Sequence, residues 1–120
     1  KQGLKTFLAA VDKVKSGISI CIFPEGTRNK NEDDLDMLPF HEGSFKIATK
    51  AKCPIIPIAI NNSADIFEAH FPKIRPAKVV VEYGKPIYPD ELDKETKKHL
   101  GEYTQGIIHQ MLEKNKSLTQ

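Results

Sequence analysis

Two apolar runs limit what this chain can fold into. Ile18–Phe23 reads ISICIF and Pro54–Ile60 reads PIIPIAI. Both are of strand length, too short for a helix, and rich in isoleucine. Neither alternates apolar with polar residues as a half-solvated strand does. A strand that is apolar on both sides belongs in the middle of an α/β sheet, with cover on both faces. Pro57 donates no backbone hydrogen, so it places the second run at an edge, a bulge or a strand end.

Helical patterns surround these runs. Leu4, Phe7, Leu8, Val11 and Val14 form one apolar stripe, with Lys5, Asp12, Lys13 and Lys15 on the other side. Ser16-Gly17 ends that helix, with the glycine in the C-cap role. Gly43 and Ser44 open a second helix, through about Lys52, with Phe45, Ile47, Ala48 and Ala51 facing inward. Lys78–Tyr83 reads as a third strand. Pro89-Asp90-Glu91 starts a final helix that carries Leu92, Leu100, Tyr103, Ile107 and Met111, although Gly101 and Gly106 weaken the pattern.

The connections are polar. Asn29–Asp36 is a solvated acidic loop, Asn61-Asn62-Ser63 a turn, and Pro72–Pro76 a basic loop. Ala64–Phe71 forms a short helix or an irregular loop. Lys114–Gln120 is expected to fray. The order of elements predicts an α/β fold in which a partly parallel sheet is flanked by helices. Three or four strands are few for strands of central character, so the sheet is expected to be incomplete. The 120 residues suit a single domain.

Bulk properties narrow the function. A net charge of +2 lacks the strong basic stripe of a nucleic-acid binder and is compatible with weak attraction to an anionic membrane surface. Cys21 and Cys53 read as reduced, buried thiols, and no metal site is expected from two cysteines so spaced. No run approaches the roughly 20 apolar residues of a membrane span. The charged first residues do not suit a signal peptide, so the chain is expected to be soluble. A start at Lys1 reads as a piece cut from a longer protein.

Chemistry gathers where ISICIF ends. Ligands of open α/β sheets bind beyond the carboxyl ends of strands, and Phe23-Pro24-Glu25-Gly26-Thr27-Arg28 lies at such an end. Gly26 permits a backbone conformation, or an approach to a ligand, that a Cβ would forbid. Arg28 offers a planar fork of donors suited to phosphate or carboxylate. Glu25 can orient that arginine, accept from a substrate hydroxyl, or simply pair with Arg28 across the loop. A second cluster, His41-Glu42-Gly43-Ser44-Phe45-Lys46, opens a helix whose first amides and dipole favour an anion, with Lys46 adding charge. Alternatively, Ser44 is an ordinary N-cap and Lys46 is merely solvated. Of the four histidines, His41 lies nearest these clusters and is the best local candidate for a general base.

FPEGTR, FHEGSFKIA and CPIIPIAI, in that order and spacing, resemble the 1-acylglycerol-3-phosphate acyltransferases, the PlsC-like phospholipid and glycerolipid acyltransferase family. The resemblance covers roughly Lys1 to Tyr88 and implies the C-terminal half of such a domain. It implies acyl transfer from acyl-CoA or acyl carrier protein, as co-substrate, to the sn-2 hydroxyl of lysophosphatidate, giving phosphatidate, with no cofactor. It implies that Glu25, Gly26 and Thr27 lie in the acceptor-binding block and that Arg28 binds the acceptor phosphate. Gly43 and Lys46 sit at the matching helix start. Pro54, Ile55, Ile56, Pro57 and Ile58 match the block linked to acyl-donor or acyl-chain binding.

The family's base is the histidine of an H-x4-D motif. Here Lys46, Arg75, Thr104 and Lys114 stand five residues after the four histidines, so the motif is absent from this chain. The resemblance therefore assigns no catalytic residue and gives His41 no support as base. For the full-length protein it implies peripheral membrane contact at a cytoplasmic face. The competing expectation is a non-catalytic anion- or lipid-binding module built from the same two clusters.

Overall fold

The computed structural model describes residues 2–26, 35, 37–63 and 76–119. The expected loop at 29–36 lies outside these residues apart from Leu35, the segment at 64–71 entirely so, and the basic loop except for Pro76. Among the described residues, helices α1 (Gln2–Lys15), α2 (Glu42–Ala51), α3 (Lys94–Lys98) and α4 (Leu100–Asn115) accompany strands β1 (Ile58–Asn61) and β2 (Val80–Tyr83).

Helix α1 ends as its sequence requires. Gly17 sits at φ +100°, the Gly17 amide donates to Val14 O at 3.0 Å and the Ile18 amide to Lys13 O at 3.1 Å. These are the two bonds of a Schellman stop, which needs the left-handed residue that glycine supplies. Only part of the apolar stripe is covered. Val11 is buried and Phe7 and Val14 half-buried where α1 packs on α2, while Leu4 and Leu8 are exposed.

The expected buried strand at Ile18–Phe23 is not one. The segment joins no ladder among the described residues, and Phe23 is 75% exposed, with Ile18, Ile20, Ile22 and Cys21 also open. Its composition suits a strand, but a strand exists only beside a partner that takes its amides and carbonyls. The buried-thiol expectation for Cys21 fails with it; Cys53 is half-buried and free.

The ladder that does form is antiparallel, pairing Ile58 with Tyr83 and Ile60 with Val81. The mixed helix and strand class holds, but the described sheet contains no parallel pair. Pro57 explains why PIIPIAI yields so short a strand. Lacking an N–H, it splits the pairing into an isolated bridge between Ile55 and Ile87 and the ladder that begins at Ile58. Pro57 is itself fully buried, and the Gly84 amide donates to its carbonyl at 2.7 Å. A Cβ on Gly84 would fall 2.8 Å from the Pro57 ring, so this crossing needs glycine.

One face of the sheet packs on α4, with Ala59 and Asn61 buried. Asn61 Nδ2 donates to Leu112 O at 3.0 Å, serving a carbonyl in the helix's last turn. Residues Ile60, Val81 and Tyr83 alternate to the opposite face and are exposed. The core has two parts. Phe45, Ile87 and Leu100 form one, against Phe40, Ile55, Leu92 and Ile107. Ala59, Met111 and Leu112 form the other, against Leu35, Met37, Ile107 and Ile108. The Phe40 and Phe45 rings stack at 6.1 Å.

The single final helix expected from Pro89 is three pieces. A 3₁₀ turn spans Pro89–Glu91, and α3 is separated from α4 at His99. Asp93 supplies the true cap, its Oδ1 accepting from the Thr96 amide at 2.9 Å. His99 does not cap α4 with its side chain. Glu42 does so from another helix: its Oε1 accepts from the Gly101 amide at 2.9 Å and its Oε2 from the Glu102 amide at 3.2 Å. A carboxylate at a helix N-terminus satisfies orphan donors and complements the dipole. Lys114 and Asn115, inside the stretch expected to fray, both donate at 2.8 Å to Glu82 on β2.

Two expected outcomes follow. A Cβ on Gly101 would fall 2.5 Å from Glu42 Oε2. Gly101→Ala should therefore displace the carboxylate and cost about 1–2 kcal/mol. In a Glu42→Ala background the same change should be neutral or stabilising by up to ~1 kcal/mol, because alanine is the better helix former. Urea denaturation of the four proteins checks this sign reversal. Separately, hydrogen bonds from Lys114 and Asn115 hold Glu82 below the usual carboxylate range, and those from Thr96 do so for Asp93. Groups so depressed stabilise the fold above their unfolded pKa and lose that contribution as pH falls through the lowered folded pKa. Glu82→Gln/Asp93→Asn should thus flatten the acid side of the stability profile, measured from neutral pH to about pH 2.

Candidate functional site

The end of the extended segment turns sharply. The Gly26 amide donates to Phe23 O at 3.0 Å, closing a turn through Pro24 and Glu25. Gly26 has φ +76°, the left-handed region that a Cβ disfavours. A Cβ there would also lie 2.7 Å from His41 Nε2. The glycine is thus required twice, by its own backbone and by the ring beside it.

That ring belongs to the residue preceding α2. The His41 amide donates to Pro24 O at 2.8 Å. His41 Nε2 lies 3.2 Å from Glu25 O, a hydrogen bond with the ring N–H as donor. The Glu25 carboxylate accepts from the Leu38 amide at 2.7 Å through Oε2. The two clusters read from the sequence, at 24–28 and 41–46, are therefore neighbours as far as the described residues carry them. Thr27 and Arg28 lie outside those residues.

Helix α2 begins one residue before Gly43, with His41 in the cap position and no side-chain cap. Ser44 is therefore not the N-cap; it is the third helical residue, its amide donating to His41 O at 3.1 Å. Gly43 is exposed, with open space where a Cβ would stand, and Lys46 is exposed one turn on. Glu42, the acid nearest this helix start, is turned away to cap α4.

The block at Pro54–Ile58 is partly buried. Pro57 and Ile55 face inward, Ile58 is half-buried, and Pro54 and Ile56 are exposed. A separate shallow groove, lined by Leu35, Met37, Glu102, Gln105, Gly106 and His109, shares no residue with the turn. Among the described residues no group of histidine, cysteine and carboxylate is placed to hold a metal ion, and no helix is long and apolar enough to cross a membrane.

The sequence reading missed the bond from Leu38 to Glu25 and the cap from Glu42 to Gly101. The first joins residues thirteen apart in the chain and the second residues fifty-nine apart. The one signal for the second was Gly101 itself, a poor helix former at a helix start.

Among the described residues, a glycine-hinged turn is thus held by hydrogen bonds against a helix start, on a mixed helix and strand scaffold. The chain belongs to the acyltransferase family, whose model, described as Acyltransferase, matches residues 1–61. It is 29% identical over 119 residues to the 1-acyl-sn-glycerol-3-phosphate acyltransferase of Saccharomyces cerevisiae, covering 98% of this chain and 38% of that protein. The enzyme of the same description from Cocos nucifera is 33% identical over 94 residues, covering 78% of this chain and 30% of its own length. The crystal structure of PlsC from Thermotoga maritima, a 1-acyl-sn-glycerophosphate (LPA) acyltransferase, superimposes with a TM-score of 0.77 at 27% identity. It matches 92% of this chain and 44% of that one. The chain thus spans less than half the length of each of these proteins.

Proposed function

We propose that this chain supplies the acceptor-binding part of a 1-acylglycerol-3-phosphate acyltransferase. The observation that carries the reading is the meeting of the 24–26 turn with the start of α2, in a chain whose likeness to PlsC covers 92% of its residues. Arg28 clamps the acceptor phosphate, and the start of α2, with exposed Gly43 and Lys46, adds positive potential. The sn-2 hydroxyl oxygen attacks the thioester carbonyl of acyl-CoA or acyl carrier protein. An ester C–O bond forms, the C–S bond breaks, the thiol leaves, and a base takes the hydroxyl proton. No residue of this chain is assigned as that base, because no histidine is followed by aspartate at the H-x4-D spacing. Since acceptor and product are lipids, we assign the reaction to peripheral contact with the cytoplasmic face of a membrane.

Two measurements test this reading. Purified chain incubated with labelled acyl-CoA and lysophosphatidate should give no phosphatidate above a heat-killed control; turnover would show that a base is present after all. In an active acyltransferase carrying this chain, Arg28→Ala should raise KM for the phosphorylated acceptor about tenfold, the worth of one charge-assisted pair. Arg28→Lys should recover only part of it, since an ammonium cannot reproduce the planar fork. Unchanged kinetics would remove the clamp.

A further inference from the structure

The sequence resemblance implies that Glu25 lies in an acceptor-binding block, but the geometry gives its carboxylate a different task. Three hydrogen bonds join the 24–26 turn to the stretch that leads into α2. They are His41 N to Pro24 O at 2.8 Å, His41 Nε2 to Glu25 O at 3.2 Å, and Leu38 N to Glu25 Oε2 at 2.7 Å. They form a seam: main-chain groups lie on one side or both of every bond, and Glu25 takes part in two. A carboxylate accepting from a backbone amide at 2.7 Å makes a short, charge-assisted bond. Swinging Glu25 onto a substrate hydroxyl would leave the half-buried Leu38 segment without that acceptor.

Gly26 fits the same scheme. The His41 ring lies where a Cβ on Gly26 would stand, 2.7 Å from its Nε2. The seam can close this tightly only over a residue without a side chain. Phe40, stacked on Phe45 at 6.1 Å, anchors the other margin of the seam in the core.

Resting on the acceptor-binding reading above, we propose that Glu25 and His41 are positioning residues. They lock the 24–26 turn to the start of α2. The 24–26 turn, which leads into the rest of FPEGTR, and the first turn of α2 are thereby held at one spacing. Glu25 acts on the acceptor through Leu38 and the turn.

Amide hydrogen exchange and ligand titration on the 120-residue chain test this together. The variants are Glu25→Ala, Glu25→Gln and His41→Ala, and the probe is sn-glycerol 3-phosphate. Exchange of the Gly101 amide, protected elsewhere by Glu42, reports that each variant remains folded. In Glu25→Ala the Leu38 amide should exchange at least about tenfold faster and affinity should fall about tenfold. Glu25→Gln keeps an acceptor oxygen for Leu38 and should restore both to within about threefold of wild type. His41→Ala should weaken binding while leaving Leu38 slower to exchange than in Glu25→Ala. Leu38 exchange that ignores Glu25→Ala overturns the proposal. So does a glutamine variant as weak as alanine, because charge rather than the seam would then matter. If Leu38 exchange follows Glu25 but wild type does not bind sn-glycerol 3-phosphate, the seam stands and the acceptor reading fails.

Discussion

The carboxylate of Glu42 on the amides of Gly101 and Glu102 is the contact on which the arrangement turns. It crosses between the helix that borders the site and the helix that organises the core. Helix α4 supplies Leu100, Met111 and Leu112 to both apolar clusters and packs on the inner face of the sheet. Where α4 begins therefore fixes where α2 sits. Because α2 is sewn to the 24–26 turn, the position of the turn depends on that contact at one remove. The same bond commits the carboxylate of the first residue of α2 to the amides of α4. One side chain thus serves packing and electrostatics together.

The site follows a similar economy. Gly26 is at a positive φ and under the His41 ring. Glu25 gives its carboxylate to Leu38 and its carbonyl to His41. These local bonds hold the backbone of the turn, and under the proposed reading an acceptor would meet it already in place. Preorganisation of this kind lets binding energy go to the ligand instead of to ordering a loop.

Much of this was legible in the sequence. Periodicity located α1 and α2, and Gly17 marked the first helix stop by a mechanism the structure shows in full. Pro57 marks an edge, a bulge or a strand end in the sequence, and it splits the pairing there. What failed was whatever depended on partners distant in sequence. ISICIF has every local property of a buried strand, yet burial and pairing are supplied by neighbours, and among the described residues it has none. The single long helix expected after Pro89 missed the break at His99, because local pattern does not reveal that Glu42 starts α4 from across the fold. Gly101 looked like a weakness in a helix and is the clearance for that carboxylate.

The central claim is that the turn at 24–28 and the start of α2 form one phosphate-binding site. An amide chemical-shift map of the ¹⁵N-labelled chain titrated with sn-glycerol 3-phosphate addresses it directly. The account predicts saturable shifts concentrated at residues 24–28 and 41–46, weakening as salt is raised. Shifts confined to the Leu35, Met37 and His109 groove, or scattered over exposed lysines without saturation, would contradict it.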